Sequence, residues 1–412
     1  YSAWANDSER LRFMFPFNPV GWLKTFTRAR GRTIQKKPRF RLTLETLEDR
    51  LAPAQFIWTG NGANANWSTA ANWQGGVAPT AATPVVDLVF NNLGAAQLNS
   101  VNNITGLSVN SIQISNLSNY NITGTAITLG DAAAAGSGTI LVAAGLTGTN
   151  IGLDMQLSAA SGSKQFITVG SGAVLTLSGE LSGNTGSEIT KEGTGTLILS
   201  NNNSGFNGPF NIEADAGIVR IQHARALGNG LVTVGNNSQL QLDSVVGGAI
   251  PNTDRLFGPG ASNLGSLFNF AGNNTWSGVI EMGTNTIFNV ATGTRLTVSG
   301  IVTDTSSPFN VTKIGAGELV FANANEYRGT TTVNHGVLTL KNPLGLGSVP
   351  AAGTTVNRNN TLNTTGTLRL EFDPAFAPNA PASDLYWVLD NPDAPFHPIN
   401  NRYVGFIVRD VP

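Results

Sequence analysis

The chain has 412 residues, of which 41% are apolar and only 12% charged, so it has enough apolar sequence to bury a large core. It contains no cysteine, which excludes disulfides, thiolate metal sites and a cysteine nucleophile. The formal net charge of −1 predicts that the body of the protein does not bind nucleic acid.

The charge is divided unevenly along the chain. Residues 1–54 have a net charge of +6, and residues 55–412 have a net charge of −7. We interpret residues 1–54 as a basic leader that is disordered or removed, although a basic run of this kind also suits nucleic acid or acidic lipid. No stretch of the sequence reaches the length and apolarity of a transmembrane helix.

The end of the leader has a recognisable pattern. Residues 41–54 read RLTLETLEDRLAPA and include the small-residue site Ala52-Pro53-Ala54. The pattern resembles the LExLExRxxPA leader motif of large extracellular proteins of planctomycete bacteria, and that resemblance implies export. The same residues also fit a short amphipathic helix with four leucines on one side, namely Leu42, Leu44, Leu47 and Leu51.

The next segment, residues 55–100, is rich in tryptophan and asparagine. Trp67 and Trp73 each follow an asparagine, six residues apart. Exposed indoles are able to stack on sugar rings. We favour the alternative that they cover the open end of a hydrophobic core, because the terminal coil of a solenoid has no neighbour.

Residues 101–370 contain short apolar runs at a regular spacing. One series is formed by Val174–Leu177, Leu197–Leu199, Ile218–Ile221 and Leu240–Leu242, whose starts are about 22 residues apart. Each run alternates apolar and polar residues, as expected of a strand buried on one face. Equivalent runs on successive coils would stack as parallel strands, with the rest of the coil as the return. The spacing therefore predicts an all-β fold, a parallel β-helix of roughly 12 coils of about 22 residues.

A longer repeat lies over this period, with an offset of 121 to 122 residues. Residues 189–200 read ITKEGTGTLILS, and residues 311–321 read VTKIGAGELVF. The conserved positions continue downstream in both copies as Asn203, Gly208, Gly217 and Leu227-Gly228 in the first, and Asn325, Gly329, Gly336 and Leu344-Gly345 in the second. Both copies resemble the autotransporter-associated β-strand repeat. The resemblance implies a right-handed, single-stranded parallel β-helix in a surface-exposed passenger domain.

Each copy has a lysine at the same position, Lys191 and Lys313. A repeated lysine is able to mark a site for an acidic ligand. We favour a position at a coil corner, with the aliphatic stem packed and the charge in water.

The search for catalytic residues finds only a weak cluster. Glu213 and Asp215 are predicted to share one face of a strand, with Glu192 about one coil earlier. Clustered carboxylates on one sheet would suit cleavage of an acidic polysaccharide, sometimes with calcium. The second copy has no matching carboxylates, so we interpret the three as a chance grouping.

Other signatures are incomplete. Asn252-Thr253-Asp254 matches one element of the polygalacturonase signature, but its paired aspartates and Gly-His-Gly are missing. The three histidines have no metal-ligand spacing, and no phosphate-binding loop or nucleophile elbow is present. No catalytic residue, cofactor or metal site is therefore predicted.

The leading functional hypothesis is a secreted or cell-surface bacterial β-helix with a structural or adhesive role, whose partners would be surface glycans or other cells. The alternative is a carbohydrate-active β-helix that cleaves an acidic polysaccharide, and a third is a phage or surface-layer fibre. The sequence does not determine the oligomeric state. Residues 371–412 are rich in proline and would form a C-terminal cap or the start of another module.

Overall fold

A computed structural model describes residues 53–91, 97–130, 137–158, 162–342, 344–347, 354–356, 358–359 and 364–370. The chain divides into two units, residues 1–51 and 52–412, and all described residues belong to the second. The predicted leader motif and the proline-rich segment 371–412 lie outside the described residues, as does the helix considered for residues 42–51.

The described residues form short strands separated by turns. The first sixteen are β1 Ala54–Ile57, β2 Val86–Phe90, β3 Asn99–Asn102, β4 Ser108–Ile114, β5 Asn121–Gly124, β6 Ile127–Leu129, β7 Thr139–Val142, β8 Thr149–Ile151, β9 Met155–Leu157, β10 Ser163–Val169, β11 Val174–Leu177, β12 Leu181–Ser182, β13 Ser187–Glu192, β14 Thr196–Leu199, β15 Phe210–Ile212 and β16 Ile218–His223. The others are β17 Val232–Val234, β18 Gln239–Val246, β19 Asp254–Leu256, β20 Leu267–Ala271, β21 Asn273–Trp276, β22 Ile280–Met282, β23 Thr286–Val290, β24 Arg295–Val298, β25 Val302–Asp304, β26 Val311–Ile314, β27 Glu318–Phe321, β28 Thr331–Val333, β29 His335–Leu340, β30 Thr354–Val356, β31 Arg358–Asn359 and β32 Thr364–Leu370. Three single-turn 3₁₀ helices occupy Ala70–Asn72, Gln74–Gly76 and Ala261–Asn263.

The strands assemble into three sheets. Sheet I has 14 strands in the order β12-β9-β6-β4-β7-β10-β13-β15-β17-β19-β22-β25, with β2 paired to β4 and β1 to β2. Sheet II has 12 strands in the order β3-β5-β8-β11-β14-β16-β18-β20-β23-β26-β28-β30, and sheet III has six in the order β21-β24-β27-β29-β32-β31. Strand pairing is parallel except between β31 and β32 among the described strands. Neighbours in sheet II are separated in sequence by a whole turn, which confirms the predicted parallel β-helix.

The solenoid has about 10 turns, spaced roughly 23 residues apart, slightly fewer and longer than expected. The regular turns keep the predicted spacing, since Leu175 pairs with Leu197, 22 residues later. The difference arises in turns with longer corners, because Leu240 pairs with Leu267, 27 residues later.

The core consists of rows of apolar side chains that run from turn to turn. In sheet II one row is fully buried and in register, and it comprises Leu175, Leu197, Val219, Leu240, Leu267 and Phe288. The sequence reading placed Ile218 in this row, which is wrong by one residue. Ile218 pairs with Thr196 on the outer side of the strand, and Val219 faces the core. Because side chains alternate between faces, a shift of one residue exchanges core and surface.

Sharp corners require residues that tolerate left-handed backbone geometry. Gly217 has φ +68°, and a Cβ atom built there would lie 2.4 Å from the carbonyl oxygen of Thr194 in the preceding turn. Only glycine fits so close a passage between successive turns. Gly193 turns the preceding corner in the same way, with φ +71°.

Asparagines stack outside the core. Asn121 donates a 3.3 Å hydrogen bond to Asn99, and Asn150 donates one of 2.8 Å to Asn121. The hydroxyl of Ser178 extends the ladder by donating to the side-chain oxygen of Asn150 at 2.9 Å. These bonds join four successive turns through their outward side chains.

Candidate functional site

The weak carboxylate cluster lies at one corner of the solenoid. Lys191 of β13 pairs with Ile212 of β15, so Glu192 and Glu213 follow equivalent strands on consecutive turns. Glu192 is half-buried and accepts a 3.0 Å hydrogen bond from the hydroxyl of Thr168. The backbone N–H of Glu213 donates to the carbonyl of Lys191 at 3.1 Å. The structure therefore brings these two residues to the same corner.

The expected sharing of a strand face by Glu213 and Asp215 is wrong. Strand β15 ends at Ile212, and both acids lie in the turn that follows. Asp215 has φ 57°, a left-handed conformation, and its carboxylate accepts a 2.9 Å hydrogen bond from the side chain of Asn237. Within the described residues, no group of three or more histidine, aspartate or glutamate side chains is placed to hold a metal ion.

The repeated lysine has a different environment from the one expected. Lys191 lies in an inward row of sheet I between Ile167 and Ile212, and none of it is exposed. Its Nζ donates hydrogen bonds to the carbonyls of Glu192 at 2.8 Å and Gly193 at 2.7 Å, in its own corner. A third bond of 2.6 Å reaches the carbonyl of Ala216 in the next turn. We call this arrangement the lysine clamp, since it ties two turns together at a corner.

The second repeat copy builds the same clamp. Lys313 is fully buried between Phe288 and Val333 in sheet II. Its Nζ donates to the carbonyls of Ile314 at 2.9 Å, Gly315 at 2.8 Å and, in the next turn, His335 at 3.0 Å. The interpretation with the charge in water is therefore wrong. The stem is packed as expected, but the ammonium is buried, because three backbone carbonyls match its three N–H donors.

Burial changes the acid–base behaviour of both clamps. Desolvation lowers the pKa of Lys191 from 10.5 to about 8, and the negative charge of Glu192 acts in the opposite direction. Desolvation lowers the pKa of Lys313 further, to about 7. Ile314 takes the place of Glu192 in the second copy, so the favourable charge is missing there.

A buried asparagine accompanies each lysine clamp. Asn203 accepts a hydrogen bond from the backbone N–H of Leu181 in the preceding turn at 2.9 Å. Its amide group donates to the carbonyl of Ala226 in the following turn at 2.7 Å. One side chain thus bridges three turns. We refer to it as the asparagine bridge.

The second copy repeats the asparagine bridge. Asn325 accepts from the N–H of Val302 at 2.9 Å and donates to the carbonyl of Gly345 at 2.6 Å. Both asparagines belong to the repeat pattern in the sequence, but no role was predicted for them. Their recurrence at equal positions in a motif was the available signal.

The two copies differ in where they lie around the solenoid. The first clamp is at the corner from sheet I, which contains Lys191, to sheet II. The second is at the corner from sheet II, which contains Lys313, to sheet III. The offset of 121 to 122 residues is about five turns and one further face, so the same motif is used at a different corner.

The tryptophans are buried in an aromatic cluster. Trp58, Trp67 and Trp73 are at most 2% exposed, and the rings of Trp58 and Trp73 meet edge to face at 5.1 Å between centroids. The indole N–H of Trp73 donates to the carbonyl of Trp67 at 2.6 Å. Phe90 packs against all three indoles. Buried indoles have no free face for a sugar ring.

Asp254, from the isolated polygalacturonase-like element, points into the core. It is fully buried in β19, and its carboxylate oxygens have no hydrogen-bond partner within the described part of the chain. Burial raises its pKa well above the usual value. Its partners in register are Val232 and Ile280, so it occupies an aliphatic position. This geometry gives Asp254 no access to a substrate.

The histidines do not converge either. His223 accepts a hydrogen bond from the backbone N–H of Arg225 at 3.0 Å, and His335 contributes its carbonyl to the second clamp. His397 lies outside the described residues. No helix in the described part of the chain is both long and apolar enough to cross a membrane.

Comparison with known proteins identifies the repeated unit. A family model, the passenger-associated-transport-repeat, matches residues 189–221 and 311–340. Each matched segment contains one lysine clamp and the asparagine of one bridge, Asn203 in the first and Asn325 in the second. Comparisons with curated proteins and with solved structures gave no match.

Proposed function

We propose that the chain acts outside the cell as a structural or adhesive stalk. The chain is a parallel β-solenoid with passenger-associated transport repeats, and it fits an autotransporter passenger β-helix. Repeats of this family imply secretion or surface display. With about 10 turns, the solenoid is about 50 Å long at the usual strand spacing.

The observation that carries this proposal is the use of the repeat residues. Lys191 and Asn203 point inward and bond to backbone groups of neighbouring turns. Lys313 and Asn325 do the same in the second copy. The motif that identifies the family thus stabilises the stack of turns. This favours a role in which the solenoid is a scaffold and its outer surface sets the partner.

Surface labelling tests the proposal. Antibodies raised against the purified full chain are applied to intact and to lysed cells that produce it naturally, and intact cells are also treated with protease. We expect labelling of intact cells and release of peptides by the protease. Labelling that appears only after lysis would overturn the proposed location and, with it, the stalk function.

The enzymatic alternative has one favourable observation, the meeting of Glu192 and Glu213 at one corner. The turn position of Asp215 and its bond to Asn237 weigh against a working pair of carboxylates. The purified chain is assayed for cleavage of uronic-acid polymers with and without calcium. Turnover that is abolished by Glu213→Gln would replace the stalk proposal by a polysaccharide-cleaving one.

A further inference from the structure

One part of the outer surface of sheet II differs from the rest. Strands β16, β18 and β20 are consecutive in this sheet, and Arg220, Gln241 and Phe268 are in register across them. In the two preceding turns, the same outward row contains Ile198 and Thr176. Two residues further along each strand lie Gln222, Asp243 and Phe270, at a point where the pairing of β18 with β20 shifts and Asp243 pairs with Ala271. The resulting set, here called the outer grid, comprises Arg220, Gln222, Gln241, Asp243, Phe268 and Phe270.

Arg220 is held rigidly in the outer grid. Its Nε donates a 2.8 Å hydrogen bond to the side-chain oxygen of Gln241, and its guanidinium carbon lies 4.1 Å from the centroid of the Phe270 ring. Its terminal nitrogens make no hydrogen bond or ion pair within the described part of the chain. Arg255 and Arg328, in contrast, are paired with Glu281 and Asp304. A fixed guanidinium with free N–H groups is suited to bidentate binding of a carboxylate.

The other members of the outer grid provide apolar and hydrogen-bonding surface beside this cation. The rings of Phe268 and Phe270 meet edge to face at 5.7 Å, and Phe270 is 39% exposed. One carboxylate oxygen of Asp243 accepts a 2.9 Å hydrogen bond from Gln222. The second oxygen has no partner among the described residues. Exposed aromatic rings suit the C–H faces of sugars, and a free carboxylate oxygen suits a hydroxyl donor.

The backbone beside the outer grid is irregular. Ser244 follows Asp243 with φ 49°, and Ser262 and Asn263 in the next long corner have φ 54° and 60°. Ser244 lies inside β18, whereas Ser262 and Asn263 lie in the corner between β19 and β20. Left-handed residues also occur at other corners of the solenoid, among them Asp215 and Asn237, so this geometry shapes the edge of the grid but does not by itself mark it as a binding surface.

We propose that the outer grid binds an oligosaccharide that bears carboxylates. Arg220 binds the carboxylate, Asp243 accepts a hydrogen bond from a hydroxyl, and the exposed ring of Phe270, with the half-buried ring of Phe268 beside it, packs against a pyranose face. The grid extends over two strand intervals, about 10 Å, which is the size of a disaccharide. The proposal rests on the stalk function only for the location of the grid outside the cell.

Calorimetric titration of the purified full chain with oligogalacturonate tests the site, and the methyl ester of the same oligosaccharide serves as the uncharged probe. We expect the acid to bind, and the ester to bind at least tenfold more weakly. Arg220→Gln and Phe270→Ala should each weaken binding of the acid by tenfold or more. The control Arg295→Gln removes the same charge from sheet III, where the arginine is exposed and paired with Glu318, and should bind as the unmodified chain does.

Circular dichroism and the thermal midpoint verify that each variant is folded before titration. A folded chain that binds neither probe would overturn the proposal, and so would equal binding of acid and ester. Unchanged affinity in both Arg220→Gln and Phe270→Ala would also overturn it, because binding would then lie elsewhere. These results concern the purified chain, so they leave the surface-labelling test of the stalk function independent.

Discussion

Replacement of Lys191 by methionine tests whether the lysine clamp holds the turns together. Methionine keeps most of the aliphatic volume between Ile167 and Ile212 but has no donors for the carbonyls of Glu192, Gly193 and Ala216. Each buried carbonyl that loses its partner costs about 1–3 kcal/mol. The ammonium no longer has to be desolvated, which offsets part of the loss, so we expect a net destabilisation of about 3 kcal/mol.

Hydrogen–deuterium exchange is the suitable assay, since turns of a solenoid open locally and a single unfolding midpoint averages over them. A loss of about 3 kcal/mol corresponds to roughly 100-fold faster exchange in peptides that cover β13 to β16. Peptides that cover β23 to β25 should be unchanged, because turns interact with their neighbours only.

Lys164 provides the matched control. Its side chain is 52% exposed in sheet I, where it pairs with Glu188 at 3.2 Å. Lys164→Met removes the same charge from the surface and should change exchange by threefold or less, as is usual for exposed ion pairs. If Lys191→Met and Lys164→Met exchange at the same rate around β13 to β16, the clamp does not stabilise the corner.

Three further outcomes follow from the buried polar groups. Asn203→Ala should destabilise its three turns by about 2–4 kcal/mol, since two backbone groups lose their partner, and limited proteolysis should therefore cleave this variant faster. Asn207→Ala should leave the cleavage rate almost unchanged. Equal cleavage rates in the two variants would contradict the bridge. Asp254→Val should raise the thermal midpoint. The pKa of Asp254 is raised in the folded chain, so the unfolded chain loses this proton first and the stability of the unmodified chain falls above about pH 4. The difference in thermal midpoint between Asp254→Val and the unmodified chain should therefore grow from pH 4 to pH 7. A difference that stays constant over this range would refute the buried carboxyl. The lowered pKa of Lys313 has the opposite consequence. The thermal midpoint of the unmodified chain should rise relative to that of Lys313→Met between pH 7 and about pH 10, because the folded chain releases the lysine proton before the unfolded chain does. A fall in this relative midpoint would be inconsistent with the buried amine.

The fold was predictable because spacing and alternation are both visible in the sequence. The strands β11, β14, β16 and β18 contain the four apolar runs from which they were predicted. The placement of Ile218 was wrong although the sequence contains the signal that corrects it: the charged Arg220 shares a face with Ile218, and 22 residues after Leu197 lies Val219.

The roles of the repeat residues were less accessible. A lysine is usually exposed, and the carbonyls that surround Lys191 come from residues of two turns, whose approach depends on the path of the corner. The outer grid was missed for a similar reason. Arg220 and Phe270 are 50 residues apart and meet only because β16, β18 and β20 are neighbours in sheet II.

The displacement of the two repeat copies by one face affects how such proteins can be lengthened. Insertion of one whole turn would preserve the orientation of every later face, whereas duplication of the 121-residue unit turns all that follows by a third of a revolution. Successive duplications would place their corner lysines along a spiral around the rod. A binding surface copied with the unit would therefore point in a new direction each time, and a rod of three such units would present it on all sides.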